Sequence, residues 1–174
     1  MQSANDWFRT NYIDKIDNET YRNTTTFPIV WNLYECLWWN KNFRISNLED
    51  HISTNFFGLI ANNELISKID DFYNRILNYQ TQRQYAPSDH YHSLSAGRHN
   101  NQYDKFISIS SSSNVTDKIW QLIWTAYRVR CNMFHGSKDL LDYDELMSQK
   151  NLFEIMNDFI VFLIILKQQM ESEI

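Results

Sequence analysis

Arg130 and His135 are the two side chains whose types and spacing most clearly allow chemistry. Five residues of helix rise by about 7.5 Å, a span that a phosphodiester and its flanking groups can bridge. An imidazole near neutrality can accept a proton from a ribose 2′-hydroxyl or donate one to a leaving 5′-oxygen. A guanidinium can stabilise the charge that builds on the phosphorane oxygens, so this chemistry calls for neither a metal nor a cofactor. Arg128 and Asn132 lie beside the pair, and Lys138 follows the Gly136 turn as a further cation able to hold phosphate.

The element that must carry these groups is a helix over residues 117–134, opened by Asn114 and Asp117 and stopped at Gly136. At about 100° per residue, Ile119, Leu122, Ile123, Ala126 and Met133 share one sector, and Arg130 falls in the middle of it. A charge on a core-facing stripe must be paired, bound to an anion or placed along a cleft, because removing it unpaired from water costs several kcal/mol. Arg128 falls with Gln121 and Thr125 on the polar side, where solvent exposure is expected.

Read as a string, Tyr127-Arg128-Val129-Arg130-Cys131-Asn132-Met133-Phe134-His135-Gly136-Ser137-Lys138 resembles the signature of the HEPN family. In that signature an Arg precedes, by four to six intervening residues, a His at the end of a helix. Arg130 to His135 fits the four-residue form and Arg128 to His135 the six-residue form. The resemblance implies an all-α bundle and metal-independent endoribonuclease activity at a cleft shared by a homodimer. Arg130 would then be the phosphate and transition-state ligand and His135 the acid/base, as in toxins, defence proteins and RNA-processing enzymes. An antitoxin or other regulatory protein is a further partner in such systems. Cys131 stands directly after the Arg, where the family often has Asn or Asp, and Asn132 comes one position later. Ser137 occupies the place of a Tyr that a nucleotidyltransferase antitoxin modifies in one toxin branch, so regulation of that kind is not implied.

The rest of the chain agrees with a helical scaffold. Its 174 residues suit one domain spanning 1–174, and three Gly with two Pro leave room for long helices and little for an all-β fold. A formal net charge of −5 gives no global basic field, so phosphate must be met locally. Cys36 and Cys131 offer neither a disulfide framework nor a cysteine zinc site. The longest apolar run, Phe159 to Leu166, is far short of the ~20 residues of a membrane span, and a soluble, cytoplasmic protein is expected. About five to six helices are expected: a short one over 5–17, one from Pro28 to about Asn42, one after a capping box at Ser46-Asn47-Leu48-Glu49, one over Leu65–Leu77, the helix of Arg130, and a long last one over about 143–169. Residues 81–114 lack periodicity and read as a long loop.

Three further clusters can be weighed. Asp89, His90, His92 and His99 hold metal-ligating atoms but sit in that loop, where a solvated role is the better reading. Trp31, Tyr34, Trp38 and Trp39 could stack bases, yet their helical repeat fits core and dimer packing better. Phe159–Leu166 is apolar all round, so this helix is expected at the centre of the domain or against a second copy. A catalytically silent helical adaptor that binds a protein partner is the alternative function.

Overall fold

The computed structural model describes residues 18–58, 61–95, 102–134 and 149–172, and among these it is all-helical, with no strand. Seven α-helices follow in order: α1 (Asn18–Trp39), α2 (Leu48–Asn55), α3 (Asn63–Gln82), α4 (Pro87–Leu94), α5 (Tyr103–Ile109), α6 (Val115–Phe134) and α7 (Lys150–Ser172). The expected all-α bundle is what forms. No helix among the described residues is long and apolar enough to cross a membrane.

Four long helices make the bundle. Glu19 meets Lys150, Phe27 meets Phe153 and the Trp38 indole donates to the Leu163 carbonyl, so α1 and α7 run parallel. Phe72 packs on Phe159 and Phe162 while Arg75 reaches back to Glu154 and Asp158, which makes α3 antiparallel to α7. Asp70 pairs with Lys118 and Tyr73 donates to Gln121, so α6 runs with α3. Two successive long helices that point the same way need a connection that travels back along the bundle.

That requirement corrects the expected loop at 81–114. Residues 87–94 and 103–109 form α4 and α5, two short helices laid on α6 along this return path. Tyr91 stacks on Trp124 at 4.9 Å and Phe106 packs on the same indole at 4.7 Å. Asp89 is spent on the start of α4, where its carboxylate accepts from the Ala86 N–H at 2.9 Å. His90 is fully buried near Tyr79 and Phe106, and His92 stacks on Tyr103 at 5.4 Å. These side chains build the crossover, no metal-binding group of three appears among the described residues, and His99 lies outside them.

The central helix is α6, and not the last one. Every residue from Ile119 to Ala126 is buried, because the crossover helices cover the side that a bare four-helix bundle would leave open. Gln121 and Thr125, expected on a polar face, are therefore interior. On α7, Phe159, Ile160 and Leu163 are buried, whereas Val161 and Ile165 are 38% and 48% exposed.

Local chemistry sets the helix ends. Asn62 accepts from the N–H groups of Glu64 and Leu65 and so caps α3; Asn114 accepts from Thr116 N–H at the start of α6. The capping box expected at Ser46 does not form: Ser46 donates to the Asn47 side chain and Ile45–Asn47 is a 3₁₀ turn that leads into α2. Pro28 was expected in a first turn, but α1 starts ten residues earlier and carries Pro28 inside it. Proline removes an N–H from the ladder there, one turn after Thr24 and Thr25 bond their hydroxyls to the carbonyls of Thr20 and Tyr21. The segments 5–17 and 143–148 of the expected first and last helices lie outside the described residues.

Candidate functional site

In the last turn and a half of α6, Val129, Cys131 and Asn132 stay buried while Arg130 and Met133 are partly exposed. Arg130 is half-buried, with its Nε withdrawn from solvent, at the point where the buried sector of α6 reaches the surface. Arg128 is not on a solvated face as expected. It is half-buried, and its Nε donates to the Leu94 carbonyl at 3.3 Å, in the last turn of α4. A cation suits that place, since the final carbonyls of a helix carry partial negative charge.

Two residues of helix separate the arginines by about 200°, so they leave α6 on opposite sides. Arg128 and Asn132, one turn apart, share the side toward α4, and Asn132 is buried. Arg130 belongs to the other side, with Ala126 and Met133. His135 and Lys138 follow the end of α6 directly but lie outside the described residues. Arg128 is thus tied to the crossover through the Leu94 carbonyl.

Tyr127 is a neighbour that sequence reasoning passed over. Burial pushes its hydroxyl above the usual tyrosine range and a hydrogen bond with Cys131 adds to this, while the positive charges of Arg128 and Arg130 act against both. The ring lies 5.0 Å from Phe43 and 6.2 Å from Trp31. Tyr127 thus stays protonated at neutral pH within the field of both guanidiniums. Its spacing of four to Cys131 and three to Arg130 was the available signal.

The aromatic cluster of α1 divides. Trp31, Tyr34 and Trp38 are core residues, at most 6% exposed, whereas Trp39 is only partly buried and donates its indole N–H to the Tyr34 hydroxyl at 2.9 Å. A separate recess of about 190 Å³, lined by Glu49, Lys105, Asp117 and Trp120, lies at the opposite end of α6. Its lysine is already paired with Glu49 and sits over the Trp120 ring. The fold and this helix end define an all-α bundle with a cationic, aromatic-lined helix terminus. Comparison of the chain with protein-family models, with curated proteins and with solved structures found no match.

Proposed function

We propose that the chain is a metal-independent endoribonuclease of the HEPN type, acting in the cytoplasm as a homodimer on a toxin or defence pattern. The observation that carries the reading is the half-buried Arg130 on the last turn of the most buried helix, five residues ahead of His135, while Arg128 is held by α4. His135 takes the proton from a ribose 2′-hydroxyl, the 2′-oxygen forms a bond to phosphorus, and the bond from phosphorus to the 5′-oxygen breaks. The imidazolium of His135 returns that proton to the 5′-oxygen as it leaves, and the products are a 2′,3′-cyclic phosphate and a 5′-hydroxyl. Arg130 neutralises the phosphorane oxygens and Lys138 adds a contact to the substrate, whereas Asn132, expected to bind substrate, is buried on the α4 side and takes no part.

The test is digestion of total RNA in EDTA by the wild type, Arg130→Ala and His135→Ala, with end-group analysis of the fragments. Each variant is expected to lose on the order of 100-fold or more in rate. RNA left whole by the wild type, or cut as fast by folded His135→Ala, overturns the assignment. A non-catalytic adaptor is the second reading, favoured by Ile29 and Leu33 on α1, 63% and 50% exposed, and by Val161 and Ile165 on α7. It expects no cleavage and a protein partner held on those apolar residues.

A further inference from the structure

We infer that Trp39, Phe43 and Tyr127, with Lys41 and Arg44 beside them, form a stacking shelf for single-stranded RNA that leads to Arg130. This deepens the ribonuclease reading and rests on it for the direction in which the strand runs. Trp39 ends α1, Phe43 lies in the turn after it and Tyr127 is on distant α6, yet the rings follow one another in space: Trp39 to Phe43 is 4.6 Å between centroids and Phe43 to Tyr127 is 5.0 Å. All three are partly exposed, unlike Trp31, Tyr34 and Trp38 just behind them. Tyr127 places the near end of the row within the field of Arg128 and Arg130.

The turn after α1 is built to present this row. Asn40 and Lys41 both have positive φ, 48° and 63°, a region that Asn enters readily and Lys seldom. Glu35 holds the turn there. Its backbone carbonyl accepts from Lys41 N–H, and its carboxylate accepts from Phe43 N–H at 3.2 Å and from the Trp31 indole at 3.1 Å. Both carboxylate oxygens are thus engaged by the turn and α1. The outcome is Phe43 set against Tyr127, with exposed Lys41 and Arg44 on either side of it in sequence. His51 stacks behind Trp39 at 3.7 Å and fixes its plane.

In a chain of net charge −5, cations interleaved with partly exposed rings are a local feature suited to a strand whose bases are unpaired. A duplex hides its base faces and gains nothing from rings. Stacking tolerates any base, so the shelf sets strandedness and leaves sequence preference open.

The test measures fluorescence anisotropy of a short labelled oligouridylate, and of an RNA duplex of equal length, on full-length His135→Ala. Adding Phe43→Leu, which keeps apolar bulk and removes the ring, is expected to weaken single-strand binding about tenfold and to leave duplex binding unchanged. Adding Lys41→Gln with Arg44→Gln, both exposed, is expected to lower the slope of log affinity against log salt by about 1.4. Unchanged single-strand affinity in folded Phe43→Leu overturns the shelf, as does preference of the parent for the duplex. Should Phe43→Leu fail to fold, an unaltered salt slope in the double glutamine variant overturns it instead. Cleavage by the wild type is read alongside. Ring-dependent binding without cleavage sinks the nuclease and keeps the shelf; cleavage with KM indifferent to Phe43 does the reverse.

Discussion

Replacing His51 by Phe should remove a pH-dependent part of the protein's stability. Burial, with a smaller contribution from the positive charge of Lys167, holds this imidazole down at about pKa 4 against an ordinary 6.5. The hydrogen bonds agree in direction. The Asn55 amide nitrogen donates to the His51 carbonyl at 3.0 Å, which fixes its orientation, and also faces Nδ1 at 3.3 Å. Nδ1 must then accept, and a proton placed on it would face the Asn55 N–H, donor against donor. Between about pH 6.5 and pH 4 the unfolded chain carries a proton here that the folded chain lacks. Stability is therefore complete above that window and falls as the pH is lowered through it. The full difference corresponds to about 3.4 kcal/mol, which solvent around the partly exposed ring reduces to roughly 1.5 kcal/mol. Phe keeps the stack on Trp39 and cannot titrate. Urea unfolding at about pH 7.5 and about pH 5 should show the wild type losing about 1 kcal/mol more than His51→Phe between the two, carboxylates cancelling in the comparison. Parallel losses in the two proteins, or an imidazole resonance that titrates near 6.5, refute the reasoning.

Asn62→Ala removes the acceptor shared by Glu64 and Leu65 N–H and should lower stability by about 1 kcal/mol, seen as a reduced urea midpoint at constant slope. Trp38→Phe loses the buried 2.9 Å bond to the Leu163 carbonyl and part of the ring that stacks on Phe56 at 4.9 Å. Its cost should be about 2 kcal/mol, roughly half from the hydrogen bond and half from lost apolar contact, measured by the same unfolding curves.

Helices α3 and α6 were legible because each carries an apolar stripe and an amide at its start, Asn62 before Leu65 and Ile69 and Asn114 before Ile119 and Ile123, whereas the first ten residues of α1 went unread. The crossover was not. An eight-residue and a seven-residue helix hold too few turns for periodicity to show, and the histidines of α4 look solvated until Tyr79 and Phe106 close around His90. The same crossover explains the misplaced polar face of α6, since a wheel drawn from sequence assumes one covered side and this helix has none uncovered over Ile119–Ala126. The candidate pair, Arg130 and His135, was chosen by type and spacing alone. The grouping of rings near Arg130 was not legible, although Trp39 is among the residues weighed for stacking, because Trp39, Phe43 and Tyr127 come together only through the turn at Asn40 and Lys41.

The two functional readings use different sides of α1. Ile29 and Leu33 each stand two residues from Trp31, about 200° around the helix, and Trp31 is the residue that meets Tyr127. The exposed apolar pair therefore points away from the end of α6, across the width of α1. A second copy seated on Ile29 and Leu33 would leave the two Arg130 side chains on the outer sides of the joined helices, too far apart to share a phosphate. A shared cleft requires contact at the end of α6 and the turn that carries Phe43, where positive charges would oppose one another until an anion lies between them. On the proposed nuclease reading, a bound RNA strand would supply that anion.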